Sequence, residues 1–173
     1  MKAQSRRNAI MEVLQKEEQP ISASTLAKRY NVSRQIIVGD VALLRAGGAD
    51  ISATPKGYLL ARDRGGIQRQ IVCIHSGEQM GKELYICVDN GCCVLDVIVE
   101  HQVYGQLVGQ LQVSTRYEVN QFLALAAQDS VHALSELTDG IHIHTLRCPD
   151  EAAFQRVWEA LDAEGFLVKN EEN

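Results

Sequence analysis

No apolar stretch in this chain approaches the ~20 residues needed to cross a membrane, and the opening segment MKAQSRRNAI lacks the apolar centre of a secretory signal. Cys-x-x-Cys pairs are absent, and the five cysteines are odd in number. Cys92 and Cys93 are adjacent, which suits a bridge poorly, so reduced thiols in a cytoplasmic protein are expected. An overall positive charge is missing too. The net charge is -5, which taken alone argues against a nucleic-acid partner.

The distribution of charge points the other way. Residues 1–66 carry 11 Lys and Arg against 6 Asp and Glu, whereas the remainder carries 6 against 16. A basic part joined to an acidic part is expected of a nucleic-acid module fused to a second domain with another task. The 173 residues are enough for two small domains. The charged, glycine-ending run Arg62-Asp63-Arg64-Gly65-Gly66 places the division between residues 1–64 and 65–173.

In the basic part, Ser5 is expected to cap a first helix with Ile10, Val13 and Leu14 inward, and Pro20 prevents its continuation. Ser22 caps a second helix whose core side is Leu26, Ala27 and Tyr30. After a turn at Asn31-Val32, Ser33 caps VSRQIIVGDVALLR, where Ile37, Val41 and Leu44 form one apolar stripe. Arg34, Gln35 and Val38 fall off that stripe near the exposed start. Helix, short turn, helix is the helix-turn-helix arrangement. Arg and Gln there can make paired hydrogen bonds to guanine and adenine edges, with Ser33 beside them.

Ala46-Gly47-Gly48 ends the helix. DISATPKGYLLA then reads as two short strands around a turn at Thr54–Gly57. Such a hairpin is a wing, with Lys56 and Tyr58 placed for the phosphate backbone. A plain three-helix bundle with a solvated hairpin is the alternative; the local charge and the Ser-Arg-Gln placement favour DNA. Gly39 inside the third helix costs about 1 kcal/mol relative to Ala, which close approach to another backbone or to DNA would explain.

The acidic part reads as strand, helix, strand, strand, helix, strand, helix. Its segments are IQRQIVCIH, EQMGKELYICVDN, CCVLDVIVEH, QLVGQLQV, RYEVNQFLALAAQ capped by Thr115, GIHIHTLRC, and EAAFQRVWEALDAEG after Asp150. Leu84, Cys87 and Val88 form the inner side of the first helix. Phe154, Val157, Trp158 and Leu161 form that of the last. The order predicts an α+β fold, a four-stranded antiparallel sheet with helices over one face.

His142 and His144 are two apart on a strand and point to the same face. Adjacent first and last strands would set His75 beside them, with Glu83 on the helix above. Three imidazoles and a carboxylate suit Zn(II), Ni(II) or Fe(II). The other reading of His-x-His is a solvated sheet face without a ligand. His101 is either a pocket wall or a turn residue, Arg116 is a second anion candidate, and His132 is given no role.

A winged helix-turn-helix followed by a domain of spaced histidines resembles the NiaR family of nicotinate-responsive repressors, whose second half is a three-histidine (3H) domain. The carriers are VSRQIIVGDVALLR, IVCIHSGEQMGKELYICVDNG, VIVEHQVYGQL and DGIHIHTL. The resemblance implies a repressor of niacin-uptake or NAD-precursor genes with nicotinic acid as co-repressor. It also implies a metal on His75, Glu83, His142 and His144, and a homodimer on double-stranded operator DNA. Ligand contacts would come from the stretch of His101 and Tyr104, with Arg116 as the separate anion candidate. The family's usual His-Pro-x-Tyr-Gly reads His-Gln-Val-Tyr-Gly here, with Gln102 in place of proline. Two other classes compete: a metal-dependent hydrolase fused to a DNA-binding module, for which no general base is evident, and an acidic protein-interaction module on a DNA tether.

Overall fold

The computed structural model describes residues 2–60, 65–128 and 133–169. It divides into two compact units, within Met1–Asp63 and Arg64–Asn173. Arg62, Asp63 and Arg64 of the expected linker, and His132, lie outside the described residues. No helix among the described residues is long and apolar enough to cross a membrane.

The first unit is built from α1 (Ala3–Lys16), α2 (Ala23–Tyr30), α3 (Arg34–Ala46), β1 (Ile51–Thr54) and β2 (Gly57–Leu60). Ile10, Leu14, Leu26, Ile37 and Val41 meet in its core, and Ile51 of the hairpin closes it. The hydroxyls of Ser22 and Ser33 accept amide hydrogens from Thr25 and Ile36, so both caps form as expected. Ser5 is not a cap. The helix starts three residues earlier, after Lys2, with no side-chain cap. Asn31 makes the turn in the left-handed region (φ 51°), where asparagine is among the tolerated residues.

Two features of this unit left no periodic trace in the sequence. Ile21 pairs with Tyr58 through reciprocal 2.9 Å amide–carbonyl bonds, adding a third short stretch to the β1–β2 hairpin. Gly57, at φ 138°, lies so close that a Cβ would meet the Ile21 carbonyl oxygen at 2.3 Å, so only glycine fits. The second feature is ionic. Arg6 of α1 donates to the buried Asp40 of α3 at 2.6 Å, and Arg7 reaches the same carboxylate at 3.4 Å. The pair ties α3 to the first helix on the side away from Arg34, Gln35 and Val38, which are exposed.

The second unit contains β3 (Ile67–Ile74), α4 (Met80–Asp89), β4 (Cys93–His101), β5 (Gly105–Val113), α5 (Arg116–Ala126), β6 (Ile141–Cys148) and α6 (Glu151–Ala163). Short 3-10 turns occupy Gly77–Gln79 and Leu134–Thr138. The sheet is four-stranded and antiparallel in the order β3-β6-β4-β5. This is the α+β architecture expected, with the first and last strands side by side. Thr115 and Asp150 cap α5 and α6 through their side chains. Leu84, Cys87 and Val88 of α4 pack with Ala153, Val157 and Leu161 of α6 over Ile71, Val94, Leu111 and Leu146 of the sheet.

Three details differ from expectation. Trp158 is 42% exposed, and the smaller Ala153 takes the inward position of α6. Cys92 and Cys148 form a disulfide with Cα atoms 4.3 Å apart, against the expectation of reduced thiols, while Cys73, Cys87 and Cys93 are not bridged. The disulfide joins the start of β4 to the end of β6, where antiparallel pairing already holds the two chain segments together. Finally, residues after α6 return to the sheet. Ile74 donates to the Phe166 carbonyl at 2.7 Å, and Val168 donates to that of Val72 at 3.2 Å, covering part of the β3 edge.

Breaking the Arg6–Asp40 pair leaves one partner buried and uncompensated. Asp40→Ala is expected to destabilise the first unit by about 3–5 kcal/mol in urea unfolding of the full chain. A loss under about 1 kcal/mol would mean that the pair behaves as a solvated surface bridge.

Candidate functional site

The sheet order brings His75, which follows β3, beside His142 and His144 of β6. Cys73 lies opposite His142 in the ladder, and Ile71 lies opposite His144. His75, Glu83, His142 and His144 are all buried. The imidazoles of His75 and His142 meet edge-on at 4.8 Å between centroids, and those of His142 and His144 at 4.9 Å. Glu83, on the first turns of α4, reaches down onto all three rings. Its Oε2 is 2.8 Å from His75 Nε2 and 3.3 Å from His144 Nε2, and its Oε1 is 3.1 Å from His142 Nε2.

The far nitrogens of the rings are fixed by backbone. His75 Nδ1 lies 2.9 Å from the Ser76 carbonyl oxygen, His142 Nδ1 2.8 Å from that of Gly140, and His144 Nδ1 2.6 Å from that of Asp96. A carbonyl only accepts, so each Nδ1 carries a proton and donates it. In the neutral rings each Nε2 then presents a lone pair toward Glu83. This second layer of contacts is the one that orients metal-binding histidines. The supports are local. Gly140, at φ 90°, passes so close to His75 that a Cβ would sit 2.5 Å from its carbonyl oxygen. At Asp96 the β4 register shifts, and its side chain accepts from the Thr145 amide at 3.1 Å while its carbonyl holds His144.

Three lone pairs facing a carboxylate repel it unless protons or a cation lie between them. The electrostatics follow. Burial disfavours charge on Glu83, yet the charge of His144 and hydrogen bonds from the imidazoles outweigh it and hold the carboxyl well below its ordinary range. Burial likewise disfavours protonated His75 and His144, but Glu83 raises both above the ordinary histidine value. His75 Nε2 is in the tightest contact, 2.8 Å from Glu83 Oε2, and yet it is buried without a hydrogen bond. An orphaned buried nitrogen, two further imidazoles and a carboxylate are a donor set that fits a divalent transition metal.

Cys73 joins this cluster. Its Sγ, a Glu83 oxygen and a His142 nitrogen lie within 4.8 Å of one another. Burial first, then the charge of Glu83 and a hydrogen bond to it, push the thiol far up. Sequence reasoning missed Cys73, although its place two residues before His75 puts it on the same sheet face. Beside the cluster opens a cleft of about 470 Å³, with His75, Ser76 and Gly77 on one side and Ser135, Glu136, Asp139 and Gly140 on the other.

The residues expected to hold a ligand are placed elsewhere. His101 Nδ1 accepts the amide hydrogens of Val103 and Tyr104 at 3.2 and 3.3 Å, so it shapes the β4–β5 turn. Tyr104 stacks on it at 5.0 Å and is largely exposed. Arg116 is engaged by Asp89 at 2.7 Å and lies over the Tyr85 ring. None of the three lines the cleft.

On the first unit, Ser33, Arg34, Gln35 and Val38 share the exposed side of α3 with Ile36. Gly39 is also exposed there, and a Cβ on it would meet nothing within 4 Å among the described residues. Packing within the unit therefore does not require glycine at this position. Lys56 is half-buried at the hairpin turn, and the Tyr58 ring packs against the helical core.

Residues 6–59 match the model of a helix-turn-helix (HTH) domain, and residues 68–170 match that of the 3H domain. The chain is 40% identical over 166 residues to the probable transcription repressor NiaR of Thermotoga maritima, covering 96% of this chain and 95% of that protein. It is also 40% identical over 170 residues to the transcription repressor NadR of Bacillus subtilis, covering 96% and 94%. Both relatives are named as transcription repressors, one as a probable one, which is a non-enzymatic role and speaks against the hydrolase alternative. The chain belongs to the NiaR/NadR family of transcription repressors, which join a helix-turn-helix domain to a 3H domain.

Proposed function

We propose that this repressor binds one divalent transition metal, Zn, Ni or Fe, through His75, Glu83, His142 and His144, and that nicotinic acid acts as co-repressor beside that ion. The observation that carries the reading is the convergence of three backbone-anchored imidazoles on one buried carboxylate. When bound, the ion supplies a positive centre for the carboxylate of the pyridine ring. The nearby cleft supports this placement, because it opens beside His75 and is roomy enough for a small aromatic acid. Its rim carries Glu136 and Asp139, which repel an anion. Attraction must then come from the ion, so nicotinate binding depends on metal. The chain's own groups hold the ion in place, and the buried Phe166, 5.0 Å from the His75 ring, backs that imidazole from the core. Arg116, His101 and Tyr104 are not needed for this site.

On the DNA side, α3 enters the major groove with Arg34 and Gln35 on base edges, Val38 in apolar contact and Ser33 near the backbone. Lys56 and Tyr58 flank the wing. A homodimer sets two such helices about 34 Å apart on a palindromic operator, in front of niacin-uptake or NAD-precursor genes. Nicotinate favours that spacing only to the extent that it binds the competent dimer better than the other arrangement.

Two measurements check these halves. Arg34→Ala is expected to weaken binding to a DNA site selected from a random pool by about 1–3 kcal/mol and to relax preference at one base pair. A uniform loss with unchanged preference would reassign Arg34 to the phosphate backbone. Calorimetric titration with nicotinate is expected to give heat with the metal-loaded chain and none after chelation. Equal binding in both would refute a metal-dependent sensor.

A further inference from the structure

The donors gathered at Glu83 are not all nitrogen. Cys73 is fully buried on β3, directly across the ladder from His142, and its sulfur lies within 4.8 Å of both a Glu83 oxygen and a His142 nitrogen. A second observation points into the same space. His75 Nε2, on a side chain 2% exposed, has no hydrogen-bond partner although Glu83 is 2.8 Å away. The cluster thus offers a sulfur donor and an orphaned nitrogen two residues apart in the chain, beneath the same carboxylate.

We propose that Cys73 is a further ligand of this site, its thiolate binding a borderline or soft divalent cation together with Glu83 and His142. This rests on the metal reading given above and deepens it by assigning what selects the ion. On binding, the S–H bond breaks, the metal–sulfur bond forms and the proton leaves to solvent; no electrons are transferred between metal and protein. Imidazole and carboxylate accept a wide range of divalent ions, whereas a thiolate shifts preference toward zinc, cobalt and cadmium and away from manganese and magnesium. Cys87, one helical turn beyond Glu83 on α4, is the nearest comparison, since it is buried and feels the same carboxylate but does not belong to the convergent trio.

Titration of the full-length chain with Co(II) tests the assignment. The expected result is an intense near-ultraviolet sulfur-to-cobalt charge-transfer band in the unsubstituted chain and in Cys87→Ser, lost in Cys73→Ser. In competition experiments Cys73→Ser is expected to lose at least an order of magnitude in affinity for Cd(II) and little for Mn(II). Cobalt binding without the band overturns the thiolate ligand and leaves the metal reading standing. No cobalt binding at all removes both. Persistence of the band in Cys73→Ser also overturns the assignment. If Cys73→Ser does not fold, the cadmium NMR shift of the unsubstituted chain decides the question, because a sulfur ligand moves it far downfield and an all-nitrogen-and-oxygen shell does not.

Discussion

A carboxylate held out of water among three imidazoles is costly, by several kcal/mol, unless each charge and lone pair is answered. The second unit is arranged around answering them. The β3-β6 pairing sets the three rings on one face, α4 lowers Glu83 onto them, and backbone carbonyls at Ser76, Gly140 and Asp96 fix each ring by its far nitrogen. A close glycine at 140 and a register shift at Asp96 exist where those carbonyls must turn. Rings so anchored can answer Glu83 with protons or can share a cation with it. Glu83 favours protons on His75 and His144, so a cation sharing the site would have to displace them.

The first unit solves a different problem. It must offer a rigid exposed helix face, and it does so by fastening the opposite side of α3. Ile37 and Val41 are sunk in the helical core, while Asp40 is clasped by Arg6 and Arg7. The basic residues of this unit therefore divide into two uses. Arg6 is structural, while Arg34 stays exposed beside Gln35, and the unit as a whole keeps the positive balance that favours phosphate. The acidic unit shows the opposite balance, and its conspicuous titratable groups, His75, Glu83, His142 and His144, are buried. Gly39 lies on the same exposed side of α3 as Arg34, and nothing among the described residues crowds it.

Much of this was legible because it is local. Hydroxyl caps at Ser22, Ser33 and Thr115, the apolar stripes of the helices and the His-x-His spacing are short-range patterns, and each appears where it is expected. The long-range ones were not. Arg6 and Asp40 are 34 residues apart and look like ordinary surface charges. Ile21 and the 166–168 return pair by backbone alone, which carries no side-chain signature. Cys92 and Cys148 come together because β4 and β6 are neighbours, a fact that spacing does not reveal. Trp158 lies one residue round from the Ala153–Val157–Leu161 stripe that faces the core, and it is left exposed. His101, Tyr104 and Arg116, expected at a ligand, have local partners in the β4–β5 turn and at Asp89 and do not line the cleft beside His75.

The central claim is that His75, His142 and His144 and the Glu83 carboxylate share one ion. Anomalous diffraction from crystals of the purified full-length chain, collected on both sides of the absorption edge of the bound metal, tests it most directly. One strong peak per chain within bonding distance of the three Nε2 atoms and Glu83 is expected. No peak, with the rings joined to the carboxylate only through protons, would contradict it.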